Sequence, residues 1–438
     1  MSYTVHEHRV TVPLDHHAHT RTAAKALGLP ETITVFAREI VPPGGENLPC
    51  LLYLQGGPGC PAPRPGTAAP AWLDVALRHY RVILLDQRGT GCSTPVDTST
   101  LSLLPDETAR ARLLSLLRAD QIVADAEAVR AVVSHGRPWA SLGQSFGGFI
   151  TLAYLSRHPE GLERCFITGG LPGLTDIDTI YRETYRLTAT RCRTVYRENP
   201  RFSAWVREIA AHLAREEERL PDGSLLTPQR FRHIGIGLGT TSGTAQLLEC
   251  AAEEPFIEFA GGKKLTQRCL AELWKQLSYA ETPLYAALHE TIYAAATPDL
   301  AGKATAWAAY RLLSEVDEGF ACEADPSDGE YLLYGEHMMP TLFLDDPALQ
   351  PFAGAAQQLA ERADWPVLYD VAALADIGAD VPIHACAYEE DMFVPFALSR
   401  ETANHLGADV TISKLLHDGL RQAGSGVLEG LFARAGIE

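Results

Sequence analysis

The sequence predicts an α/β fold in which a mostly parallel central sheet is interrupted by a large, mainly helical cap. Three observations predict it. Short, continuous apolar runs such as Leu48–Leu54 and Tyr80–Leu85 end in glycine-rich turns, as strands buried on both faces do. Up to about residue 174 such runs alternate with amphipathic helical stretches, and the same alternation returns near residue 376. Between them the rhythm gives way to long amphipathic segments, namely Ile180–Glu198, Phe202–Glu218, Thr266–Ala280 and Pro283–Ala296. The expected division is therefore a core in two parts, 1–174 and 376–438, around a helical cap at 175–375.

A chain of 438 residues exceeds one ordinary core, and its 46% hydrophobic content suffices to fill a large one. The net charge of −18, with no Lys/Arg cluster, argues against a nucleic-acid partner. The nine cysteines are odd in number, scattered, and never at C-x-x-C spacing, which argues against a disulfide framework or a zinc site. No apolar run reaches membrane-spanning length, and Met1–His6 lacks a basic start followed by an apolar stretch. These features lead us to expect a soluble, reduced, cytoplasmic protein with no membrane partner, metal or other cofactor. They leave the oligomeric state open.

Taken in order, His8–Pro13 alternates as an edge strand does, and Glu31–Val41 reads as a second strand closed by Pro42–Gly45. The early histidines, His6, His8, His16, His17 and His19, lack partners at ligand spacing and are read as structural. Leu48–Leu54 runs straight into Gln55-Gly-Gly-Pro-Gly59, where glycines let backbone approach a ligand. Tyr80–Leu85 runs into Asp86-Gln-Arg-Gly-Thr-Gly91, with Asp86 and Arg88 read as a charged pair that pins loops. The stretch from Asp106 to His135 reads as one helix, and Arg164–Thr168 as the strand closed by Gly169-Gly170. After the cap, Val381–Tyr388 and Val410–Leu416 read as strands separated by the helix Pro395–Leu406.

Between Arg137–Leu142, a buried strand, and Phe149–Leu155, a helix, lies Gly143-Gln-Ser-Phe-Gly-Gly148. Strand, tight turn and helix with serine at the apex is the context of a G-x-S-x-G nucleophile elbow. The strained turn demands small residues two before and two after the serine, where Gly143 and Gly147 stand. An acid after a late strand and His417 after the last one complete the order Ser, acid, His that marks α/β-hydrolases. Ser145 is the candidate nucleophile and His417 its base. Of three adjacent acids, Glu389, Glu390 and Asp391, the last is chosen for its short side chain and its place before Met392–Pro395, with Glu390 second. The Phe146 N–H and one from the Gly-Gly pair, Gly57, are the candidate oxyanion hole.

Gln55-Gly-Gly-Pro-Gly59, Asp86-Gln-Arg-Gly-Thr-Gly91 and Gly143-Gln-Ser-Phe-Gly-Gly148 together resemble the proline iminopeptidases, serine peptidases on the α/β-hydrolase fold. Pro283–Tyr293, Tyr334–Pro340, Glu390–Val394 and His417–Arg421 resemble that family's longer bacterial branch, so the likeness covers most of the chain. Two positions depart from the pattern: Gln55 replaces a frequent histidine and Phe146 a frequent tryptophan, and neither change removes a backbone N–H. The resemblance implies removal of an N-terminal residue, typically proline, from short peptides with a free N-terminus. It also implies cap carboxylates that hold the α-ammonium: Glu290 first, Glu336 second and Glu249 third. An esterase or amidase for small acyl substrates is the alternative.

Overall fold

The computed structural model describes residues 3–66, 69–321 and 330–437. Ten strands occur among them: β1 (Thr4–Pro13), β2 (Thr32–Val41), β3 (Cys50–Leu54), β4 (Arg81–Asp86), β5 (Trp139–Gln144), β6 (Leu162–Thr168), β7 (Phe256–Phe259), β8 (Gly262–Leu265), β9 (Ile383–Tyr388) and β10 (Asp409–Ser413). Eight form one sheet in the order β1-β2-β4-β3-β5-β6-β9-β10. Pairing is antiparallel for β1–β2 and β2–β4 and parallel everywhere else in that sheet. Every residue of β3, β4 and β5 is buried, which explains their unbroken apolar runs. Helices cover both faces. Ala119–Val133 and Phe146–Arg157 pack with Leu52 and Leu54 on one side. Ala71–Ala76 and Gly424–Arg434 pack with Leu51 and Tyr53 on the other.

The order of the strands sets where a ligand can go. The chain leaves β3 for β4 on one side, then crosses back to β5 on the other, so β3 and β5 are neighbours whose following loops diverge. Open α/β sheets form a crevice at the carboxyl ends of strands at such a switch point. The loop Gln55–Gly59 and the turn at Ser145 both begin there.

All eight sheet strands lie in residues 4–168 and 383–413. The stretch between β6 and β9 carries the helices Ile177–Glu198, Pro200–Leu213, Thr241–Ala251 and Gln267–Leu277, plus the hairpin β7–β8 that helical periodicity does not announce. Apolar residues of this stretch and of the sheet belong to one continuous buried cluster. No helix among the described residues is long and apolar enough to cross a membrane.

Two expectations are corrected. The stretch from Asp106 to His135 is not one helix but two, Glu107–Ser115 and Ala119–Val133, and no Pro or Gly marks the break. Tertiary contacts make it. The Leu116 carbonyl accepts from Arg88 Nη1 at 2.8 Å, and Arg118, in extended conformation, is buried. Its Nε donates to Thr291 O at 3.1 Å, Nη1 to Pro366 O at 3.2 Å and Nη2 to Ala294 O, and it lies over the Trp365 ring at 4.6 Å. Asp86 and Arg88 do not pair with each other. Asp86 takes both Arg64 guanidinium nitrogens at 2.7 and 3.0 Å, and Arg88 grips Asp125 at 2.6 and 2.7 Å. The loop-pinning expected of them is done through these other partners. His16 and His17 hydrogen-bond Asp125 and Asp120 in the same region.

Arg118 ties the core to the end of the Pro283–Ile292 segment, so its loss leaves the Ala294 and Pro366 carbonyls without this donor in a buried place, while Thr291 O keeps the Ala294 N–H. Arg118→Met is expected to lower unfolding stability by about 2–5 kcal/mol in urea titrations, far more than an exposed arginine would. A loss under about 1 kcal/mol contradicts this account of the helix break.

Candidate active site

β5 ends at Gln144, and the chain reverses sharply into the helix Phe146–Arg157. Ser145 holds φ 56°, ψ −126°, a region side-chain-bearing residues avoid. Neighbouring backbone explains how it is held there. A Cβ at Gly147 would sit 1.9 Å from the Leu54 carbonyl oxygen, so only glycine lets helix and β3 come this close. The Ser145 N–H donates to Thr168 O at 3.0 Å. Gly170 backs the turn as well: a Cβ there would be 2.4 Å from Ser145 O, and one at Gly148 would be 2.2 Å from Gly170 O. In the sequence Gly169-Gly170 reads only as the end of a strand. The clue was a second glycine pair following the strand next to the elbow strand.

His417 lies in the loop after β10 and is buried. Its Nε2 is 2.8 Å from Ser145 Oγ and its Nδ1 is 2.7 Å from Asp391 Oδ2. A carboxylate only accepts, so Nδ1 carries the proton and Nε2 is free to accept from the serine hydroxyl. Asp391 is fixed in turn, its Oδ1 accepting from the Phe393 and Val394 N–H groups at 2.8 and 3.1 Å. Glu389 and Glu390 are exposed, so Asp391 is the one of the three acids brought to the histidine. The Phe393 ring meets His417 edge-on at 5.1 Å. Burial lowers the imidazole's basicity, but Asp391 and then Glu336 favour the charged ring, and the net result is a raised pKa.

Phe146 is the first residue of its helix, so its N–H has no intrahelical partner and lies at the positive end of the dipole. Gly57 has φ 134° and follows Gly56, where a Cβ would be 3.0 Å from Ser145 Cβ. The Gly56–Gly57 loop thus lies against the serine, and Phe146 follows the serine directly. The arrangement can transfer the serine proton to an imidazole while a nearby carboxylate steadies the resulting cation.

The three cap carboxylates fare differently. Glu336 accepts from the Tyr285 hydroxyl, and its Oε2 is 3.9 Å from His289 Nε2. Burial pushes its pKa up to about 7, partly opposed by attraction to His417 and the Tyr285 hydrogen bond. His289 is itself pushed down to about 4 by burial, so it offers no positive charge at neutral pH. About 17% of the Glu336 side chain remains open, which leaves room for a ligand to reach it. Glu290 follows the short helix Pro283–Leu288 in a 3₁₀ turn, is 6% exposed, and accepts from the Ala309 N–H at 3.4 Å. Burial raises its pKa to about 7 too, but the charged group acting on it is Arg311 rather than His417. Glu249 is not brought to the site. It is exposed and lines a separate cavity with Trp205, Cys250 and Cys269. Tyr285, the direct partner of Glu336, lies in the stretch Pro283–Tyr293, where nothing in the local pattern singles out one tyrosine.

A family model described as the alpha/beta hydrolase fold matches residues 49–247. A proline iminopeptidase of Aeromonas sobria is 39% identical over 430 residues, covering 97% of this chain and 95% of its own. One from Aspergillus aculeatus is 31% identical over 414 residues, 92% of this chain and 89% of its own. Among solved structures, the proline iminopeptidase of Mycobacterium smegmatis aligns with 92% of this chain and 95% of its own, at 15% identity and a TM-score of 0.42. The 39% and 31% identity to the Aeromonas and Aspergillus relatives along nearly the whole length places the chain in the proline iminopeptidase family, on the α/β-hydrolase fold.

Proposed function

We propose that this protein is a serine aminopeptidase that releases an N-terminal residue, foremost proline, from short peptides. The observation that carries the reading is the hydrogen-bonded chain Ser145–His417–Asp391, with the half-buried carboxylate of Glu336 near enough for its charge to act on His417. The relatives' name, proline iminopeptidase, supports it. Ser145 Oγ attacks the scissile carbonyl as its proton passes to His417 Nε2, and Asp391 steadies the imidazolium. The carbonyl oxygen draws on the Phe146 and Gly57 N–H groups, where one donor is worth roughly 3 kcal/mol of barrier. His417 then protonates the departing amine, leaving an ester on Ser145, which water cleaves with His417 again as base.

An aminopeptidase must hold a free α-ammonium beside the scissile bond. Glu336 is our first choice for this, ahead of Glu290, because its charge and that of His417 act on each other and it retains an open face. Glu290 lies deeper, with Arg311 as the charged group acting on it. Residues 175–375 then act as a cap that supplies the carboxylates while the sheet supplies the nucleophile. The eight free cysteines among the described residues support a reducing, cytoplasmic setting.

Purified protein is expected to hydrolyse prolyl anilides in preference to short-chain nitrophenyl esters. Ser145→Ala should abolish this, with a loss on the order of 10⁴-fold or more in kcat. Preference for the esters, with no prolyl-anilide turnover, would favour a small-acyl esterase instead.

Glu336→Gln is expected to lower kcat/KM for prolyl anilides about 10- to 100-fold, the worth of one charge-assisted hydrogen bond. The pH dependence follows in sign. Glu336 is neutral below about 7 and anionic above it. His417, with its raised pKa, is protonated and unable to accept on the same acid side. Wild-type kcat/KM should therefore climb between pH 6 and 8. In Glu336→Gln one ionisation disappears and His417 loses a charge that favours its cation, so the acid limb should move to lower pH. An unmoved limb in the pH–rate profile counts against Glu336 as the group beside His417.

A further inference from the structure

Asp418 follows the candidate base directly, yet its carboxylate faces away from the triad and into the cap. Its Oδ1 accepts from the Thr241 N–H at 2.9 Å, and its Oδ2 from the Ser242 N–H at 3.4 Å and the Ser242 hydroxyl at 3.2 Å. These donors open the eleven-residue helix Thr241–Ala251, so a charge from the histidine loop occupies the N-terminus of a cap helix. Two contacts reinforce the join. The His417 N–H donates to Gly239 O at 3.2 Å, just before that helix. A Cβ at Gly239 would lie 2.1 Å from Phe393 Cζ, and Phe393 is the ring packed against the His417 imidazole. The turn at Gly239 is anchored in turn by Arg191 Nε, which donates to Leu238 O at 2.9 Å.

Backbone, carboxylate and ring thus bind the histidine loop to the start of one cap helix on three sides. We propose that Asp418 is a positioning residue that makes the placement of the His417 imidazole depend on the docking of the cap helix Thr241–Ala251. The inference rests on the triad reading above. Its physical content is that the loop follows the edge strand β10 and meets Tyr388 and Asp391 on the core side, so the contacts to the helix Thr241–Ala251 complete the support that sets the imidazole against Ser145. Asp418 pulls the loop toward the helix N-terminus, and the Phe393 ring limits how the imidazole can turn.

The test uses the full-length protein with Asp418→Ala, Asp418→Asn and Thr241→Pro. Proline is well tolerated at the first position of a helix, so Thr241→Pro removes the 2.9 Å donor while keeping the helix. Each variant is assayed for kcat and KM on a prolyl anilide, for the rate of Ser145 labelling by a fluorophosphonate, and for Tm. The expected result for Asp418→Ala is a fall of about tenfold or more in both kcat and labelling rate, since displacing a reacting group by an ångström costs on that order. KM should stay within about twofold, and Thr241→Pro should show the same pattern more weakly. The labelling rate discriminates because the probe needs the imidazole and not the ammonium pocket. A helix cap of purely structural worth would lower Tm and leave kcat and labelling alone, and that result in Asp418→Asn and Thr241→Pro overturns the proposal. If Asp418→Ala does not fold, the other two variants decide. Failure of wild-type protein to label at Ser145 overturns the triad and this inference with it, whereas labelled wild type with unchanged variants overturns the inference alone.

Discussion

The structure depends on one close approach, that of the helix after Ser145 to the end of β3. With Gly147 less than a side chain's width from the Leu54 carbonyl, the turn at Ser145 cannot relax and the serine keeps its positive φ. The same contact brings the Gly56–Gly57 loop, which continues β3, against the serine. Parallel pairing of β5 with β3 and β6 then fixes the direction of the hydroxyl relative to the loops after β9 and β10. A larger residue at this point would disturb the turn at Ser145, the Gly56–Gly57 loop and the packing of the helix Phe146–Arg157 together, because all three share the same few ångströms of backbone.

Around this centre the cap we propose would contribute carboxylates that burial makes reluctant to ionise. Glu336 and Glu290 are both pushed to about 7 because burial penalises their anions and no cation fully offsets it. Such a carboxylate is costly until a cation arrives, which gives an incoming α-ammonium something to offset. Reciprocally, the Glu336 charge helps the His417 cation, so the group we assign to substrate capture also acts on the proton that moves in the reaction. The shared electrostatics ties recognition to chemistry without direct contact between the two.

Much of this was legible in the sequence where local rules decide. Buried strands, the elbow and the order of serine, acid and histidine are written in short stretches, and Asp391 could be preferred over its exposed neighbours by side-chain length and loop position. What was not legible turns on distant partners. Helix propensity carries straight through Leu116–Arg118, and only the carbonyls of Thr291, Ala294 and Pro366 make Arg118 leave the helix. Asp86 and Arg88, two residues apart, look like a pair until Arg64 and Asp125 claim them. Nothing in the sequence around Glu249, Glu290 and Glu336 tells them apart in exposure, and packing alone turns one to solvent, buries another, and leaves the third partly open with its charge acting on His417. Asp418 went unnoticed because a residue next to a candidate base reads as loop until its carboxylate is seen at the start of a helix 177 positions earlier.

The central claim joins the triad to Glu336 through the amine of the substrate. A crystal structure of Ser145→Ala with a prolyl dipeptide bound tests it most directly. The account predicts the proline nitrogen within hydrogen-bond distance of a Glu336 carboxylate oxygen and the scissile carbonyl oxygen facing the Phe146 and Gly57 N–H groups. A dipeptide whose nitrogen instead points to solvent, or meets neither Glu336 nor Glu290, would contradict it.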